Sequence, residues 1–266
     1  MKYIYPIMII GLLILVGGIF YYINQGAWPL PIVAMAHLFI FGAGLYSVKQ
    51  IMAAYQRTKN IVFKYFYWSI ILPVWCAFLM AFSAFYLFNQ PKLFGFIGWN
   101  LGMIPHMVGF ALLILVTFHL AGRPKLGKIA FWAFVAVSEG VMLLSLINMP
   151  EPAIAERGIT VWHISQLQGN LIAMALVGVF VPISLYFFIR GIKSSDRVVR
   201  VRSLLIGGGI LLNTLGEGFL GFGNTVYING PAAIAVGIAY LLLMAGVTYK
   251  YSVGYAKGQL LSPSVG

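Results

Sequence analysis

Four side chains stand where so apolar a chain leaves little for them to bind: His37 in AMAHLFIFG (residues 34–42), His106 in MIPHMVGFALLILVTFHL (103–120), Glu139 in VSEGV (137–141) and Glu217 in LGEGF (215–219). Neutral imidazole is the commonest metal-binding side chain. Two imidazoles presented from different helices at one depth form the axial set of a six-coordinate b-type haem. His37 and His106 are therefore candidate haem and metal ligands. Carboxyl groups beside such a centre could accept protons from a quinol or deliver them to a reaction, so Glu139 and Glu217 are candidates for a proton relay. Plainer readings stay open: a non-haem metal, histidines that only hydrogen-bond a neighbouring helix, and protonated glutamates bonded to Ser138, Asn213 or a backbone carbonyl.

The solvent of these groups follows from composition. The chain of 266 residues is 61% hydrophobic and 8% charged, against about 25% charged in an ordinary soluble domain. Apolar stretches of about 18 residues or more read as membrane-spanning helices. Eight can be drawn, at 4–23, 28–52, 66–89, 94–120, 129–149, 164–189, 203–223 and 230–252. The gaps carry turn and charge clusters such as YQRTKN, NQPK, GRPKLGK, MPEPAIAERG and RGIKSSDR. Alternating ten-residue segments are absent, so strands are not expected. The expected fold is all-α, a polytopic membrane helical bundle forming one integral membrane domain over residues 1–266.

Lys and Arg favour the cytoplasmic side of a membrane. Cytoplasmic N- and C-termini leave only Lys92 and Arg157 of the 17 basic residues facing outward. The net charge of +12 then describes a basic rim against anionic lipid heads, and no nucleic-acid partner is needed. The first span ends in aromatics without a small-residue cleavage site, so it reads as a retained helix in a multi-pass protein of the cell membrane. Cys76 is the only cysteine, which excludes an internal disulfide and a multi-cysteine cluster.

Depth sharpens the candidate set. Counted from the outer helix ends at about 1.5 Å per residue, His37 lies about 13 Å down, His106 about 18 Å, Glu139 about 15 Å and Glu217 about 9 Å. Asn100, Gln166, Gln168, Asn170 and Asn213 fall in or near this layer. Ionisable groups at such depth are functional-site candidates by default. Ala34, Phe41 and Gly44 share the His37 face, while Gly102, Met103, Gly109 and Phe110 share that of His106. Gly44 and Gly109 would let a flat ring approach the backbone, although small residues equally allow close helix packing. His119 points about 140° away from His106 and lands beside Arg123 at the cytoplasmic end, an interfacial position. His163, next to Trp162, reads as part of an outer aromatic belt.

At residues 34–42, and at WHISQLQGN (162–170), the chain resembles helical segments of the haem–copper oxidase and nitric-oxide-reductase subunit I superfamily, including its smaller haem-binding relatives. Such segments carry a haem or copper histidine followed by aromatic residues and glycine. The resemblance implies a haem-ligand role for His37 and for His163. That family has more spans and clusters histidines around its copper, so a complete haem–copper centre is not implied here. The layout of eight spans with histidines on the second and fourth is also similar to the first half of haem A synthase. That family places further histidines on later spans, whereas the eighth span here has none.

Three functions follow as expectations. One is a b-type cytochrome subunit of a respiratory complex, a component of a quinol-linked oxidoreductase that holds haem b and passes electrons to a partner near the outer face. The second is a haem-free scaffold for a respiratory or oxygenase complex. The third is a transporter or sensor domain, for which Pro73, Pro182 and the glycines at 207–209 would supply helix breaks. Lipid, other subunits and quinone are the partners these readings imply.

The orientation is testable in a Cys76→Ser background. Lys59→Cys should react with a membrane-impermeant maleimide only from the cytoplasmic side, and Lys92→Cys only from the outside. The reverse pattern would contradict the topology.

Overall fold

The structure, a computed structural model, describes residues 4–27, 30–154, 160–163, 165–222 and 226–249. Lys2, Glu156, Arg157, Lys250 and Lys257, and the end expected for the eighth span, lie outside the described residues. The helices are α1 (Ile4–Asn24), α2 (Ile32–Thr58), α3 (Ile61–Tyr86), α4 (Pro91–Phe94), α5 (Leu101–Leu120), α6 (Pro124–Ile147), α7 (Gln166–Lys193), α8 (Arg197–Phe222) and α9 (Val226–Thr248). Short α4 runs into α5 through a wider π-helical turn at Gly95–Asn100, so residues 91–120 form one span. Among the described residues, eight helices are long and apolar enough to cross a membrane. The chain is an all-α polytopic bundle.

Several helices outrun the apolar stretches at the basic end. α2 continues to Thr58, α3 starts at Ile61, α6 at Pro124 and α8 at Arg197. Hydropathy marks only hydrocarbon thickness, whereas backbone hydrogen bonding continues into the interface, where Arg and Lys reach water on long stems. The expected YQRTKN gap shrinks to a two-residue corner. Lys59 there turns left-handed (φ 54°) to close α2, and Asn60 caps α3 by accepting the Val62 N–H at 2.9 Å.

The opposite end holds an unexpected element. Between α6 and α7, β1 (Glu151–Ile154) pairs antiparallel with β2 (Thr160–His163), Glu151 opposite His163. The sequence reading placed a loop here, because strands this short fall below any alternation test. The hairpin lies against α4 and α9.

α2 packs between α3 and α9, α3 on α5, α5 on α6, α7 on α8, and α8 on α9, while α1 lies outside against α3 and α2. Large apolar side chains on α1, α6 and α7, among them Leu13, Trp132 and Met174, face outward. In water this would be an aggregating surface, and in a bilayer it is the lipid contact.

Close approach around α3 depends on two glycines. A Cβ at Gly44 of α2 would strike Val74, and one at Gly109 of α5 would strike the ring of Pro73. Both neighbours are on α3, which is thus held between α2 and α5 by small-residue packing. Gly44→Leu should cost about 1–3 kcal/mol through overpacking. The expected readout is a lower thermal midpoint in detergent, and an unchanged midpoint would contradict this packing.

Candidate functional site

Five helices and the π-turn surround one cavity. His37 and Ile40 come from α2, Pro73, Cys76, Ala77 and Met80 from α3, and Trp99 from the π-turn. Met103 and His106 come from α5, Glu217 from α8, and Ala233, Val236 and Tyr240 from α9. About 600 Å³ of space not filled by atoms, open solvent at the mouth included, lies between these side chains. His37 and His106, from the second and fourth spans, therefore do share one chamber and lie within electrostatic range of each other.

His106 is the best-defined group. It is 4% exposed, and its ring stacks on Phe110, one turn along α5, with centroids 5.0 Å apart and planes 18° apart. Nδ1 lies 3.3 Å from the Tyr240 hydroxyl. Nε2 is buried without a hydrogen-bond partner, and Glu217 Oε1 stands 3.7 Å from it. That separation is too long for a hydrogen bond and short enough for an ion pair once a proton is present.

The π-turn accounts for part of this shape. Widening the helix by one residue per turn re-aims the side chains that follow, and such turns recur at functional sites. Here Trp99 lines the chamber while Asn100 is buried and accepts from Ser145 of α6 at 2.6 Å. This bond anchors the entry to α5, and with it the His106 face.

The other candidates fall differently. Glu139 does not line the chamber. It lies on α6, a helix that contributes nothing to the lining, and its Oε1 is buried without a hydrogen-bond partner. Depth placed it level with His106, but depth alone does not fix which way a helix faces. Glu217 meets His106, and neither Asn213 nor Ser138 bonds it: both amide atoms of Asn213 are buried and unpartnered, and Ser138 donates to its own helix at Val135. Gly44 and Gly109 share the helix faces assigned to them, yet α3 fills the space where a ring would approach, so they serve packing and not a cofactor. Phe41 likewise packs on Phe78 of α3.

His119 is exposed at the basic end and meets Tyr65 edge-on at 6.3 Å, as an interfacial residue would. His163 belongs to β2 and not to the start of a helix. Its side chain lies outside the described residues.

Sequence reasoning missed Tyr240 and Cys76. The same depth rule would have found both: Tyr240 lies about 15 Å below the outer end of the eighth span and Cys76 about 20 Å below that of the third. Neither was counted because a tyrosine among aromatics and a lone cysteine carry no signal by type.

A haem or metal would need donor groups that are free to bind it. Among the described residues no group of three or more His, Cys, Asp and Glu is placed to hold a metal ion, so coordination by several protein ligands has no basis there. Axial ligation needs less. It requires a buried imidazole nitrogen without a partner, and His106 Nε2 is one. It is also favoured by a group that fixes the ring through its other nitrogen, as Tyr240 does at Nδ1. His37 lines the same chamber, so these two imidazoles are the residues that would hold a b-type haem, without Gly44 and Gly109 as its cradle.

No protein-family model matches the chain, and no curated protein is significantly similar to it.

The Tyr240–His106 contact should appear in a double-mutant cycle. Tyr240→Phe and His106→Ala should couple by about 0.5–1.5 kcal/mol, the net value of one buried hydrogen bond. Thermal unfolding of the four proteins in detergent measures it, and strict additivity would contradict the contact.

Proposed function

We propose that the chain is an integral subunit of a respiratory electron-transfer complex of the cell membrane that holds one b-type haem through His37 and His106. The observation that carries this reading is the unpartnered Nε2 of His106, buried in a chamber that His37 also lines, with Nδ1 already held by Tyr240. When bound, the haem iron would supply reversible one-electron transfer.

The chain's own residues supply the rest. Tyr240 and Phe110 set the ring of His106 in one orientation. Ile40, Met80, Met103 and Val236 make the walls apolar and keep water out. Glu217, 13% exposed, is placed beside the site to take or release a proton at Oε1. A quinol releases protons along with its electrons, so a carboxyl group beside the electron acceptor suits quinol as donor. Other subunits would carry the electrons onward near the outer face.

A specific observation favours a second reading. The 3.7 Å approach of His106 to Glu217 becomes a charge pair when a proton arrives, which is a device for proton-coupled transport or sensing.

Absorption spectroscopy separates the two. Purified protein should give a reduced-minus-oxidised difference spectrum of a b-type haem, lost in His37→Ala and in His106→Ala and retained in Glu139→Gln. A colourless preparation that is folded and still takes up protons through Glu217 would favour the second reading and end the first. A folded, colourless protein without proton uptake would leave only a scaffold role.

A further inference from the structure

A second cleft lies at the basic end of the bundle, where α3 and α5 face α7 and α8 and where α5 barely touches α7. About 530 Å³ of space not filled by atoms, open solvent included, lies within it, and it is more open than the central chamber. Its walls include Phe63, Phe66, Leu120 and Phe187, and its rim carries Arg190 and Arg202. Two guanidinium groups at the edge of an apolar cleft, at the membrane end rich in Arg and Lys, need an anion for one part of their ligand and a hydrocarbon chain for the other.

The two arginines differ. Arg202 is tied to α9 by donating Nε to the Gly246 carbonyl at 3.2 Å and Nη2 to that of Val247 at 2.8 Å. Its charge stays in the cleft while its position is set by the fold. Arg190 donates Nη1 to the Tyr186 hydroxyl at 3.1 Å and has no carboxylate partner among the described residues. The one acidic side chain described at this end, Asp196, is occupied by the N–H groups of Val198 and Val199 as the cap of α8. Among the described residues, no carboxylate neutralises the charge of Arg190.

We propose that this cleft binds an anionic phospholipid, its phosphate on the guanidinium of Arg190 within the field of Arg202 and one acyl chain along the phenylalanine wall. A planar guanidinium pairs with phosphate oxygens in a bidentate fork, and basic pockets between membrane helices on the cytoplasmic side are suited to such headgroups. Free phosphate would satisfy the arginines and leave the apolar wall bare, so the lipid is the better match. The lipid would also fill the gap between α5 and α7, joining the α2–α3–α5 side of the bundle to the α7–α8 side.

Native mass spectrometry of the full chain in detergent tests this, with phosphatidylglycerol, phosphatidylcholine or inorganic phosphate added. Wild type should retain phosphatidylglycerol in preference to phosphatidylcholine. Arg190→Gln should weaken that retention by about fivefold, the attraction of one interfacial cation. Arg200→Gln, an exposed arginine at the same end whose guanidinium bonds the Ser194 carbonyl, should leave it unchanged. Equal retention of the two lipids, equal loss in both variants, or displacement of the lipid by millimolar inorganic phosphate would overturn the proposal.

Discussion

In hydrocarbon a buried polar side chain can be satisfied only by other protein groups or by something the protein binds. His106 is one of the buried groups on which this constraint acts. One ring nitrogen is met by Tyr240, one face is covered by Phe110, and the remaining nitrogen is left to a chamber lined by His37 and Glu217. A single buried hydrogen bond contributes about 0.5–1.5 kcal/mol, whereas leaving a buried polar group unmet costs about 1–3 kcal/mol. The unmet Nε2 beside it offsets part or all of what the Tyr240 bond contributes. A ligand, a bound water or a proton shared with Glu217 would each meet that nitrogen, and both readings of function grow from it.

The bundle is arranged so that this side chain is reached from many directions. α3 is clamped between α2 and α5 by Gly44 and Gly109, which draws His37 and His106 toward one chamber. The π-turn adds Trp99 to the wall and fixes Asn100 to Ser145 of α6. α8 and α9 bring Glu217 and Tyr240 from the far side. The outward faces of α1, α6 and α7 are given over to lipid. The few chemistry-bearing groups lie inside an otherwise apolar core, and the outer surface is apolar too, unlike that of a water-soluble domain.

Much of this was legible in the sequence. Length and hydropathy locate all eight spans, because an apolar run has few other uses at that length. Depth counting brought His37, His106 and Glu217 to the same half of the bilayer, and the structure places them in one cavity. The same counting failed for Glu139, since depth carries no azimuth and α6 sits outside the chamber. Gly44 and Gly109 could be assigned a face but not a neighbour: only packing shows that α3, and not open space, lies against them. The hairpin at Glu151–Ile154 and Thr160–His163 was hidden because four-residue strands set by chain closure leave no periodic trace. Tyr240 went uncounted for a different reason. Its depth was readable, but a tyrosine inside an aromatic-rich helix carries no signal by type, and its role shows only where its hydroxyl meets an imidazole.

The central claim is that His106 and His37, which line one chamber, would together hold one haem. Electron paramagnetic resonance of the oxidised, purified protein tests it most directly, using histidine labelled with ¹⁵N. The account predicts a low-spin ferric signal whose nitrogen couplings require two histidine ligands. A high-spin signal, couplings from one histidine only, or a folded protein carrying no iron at all would contradict it.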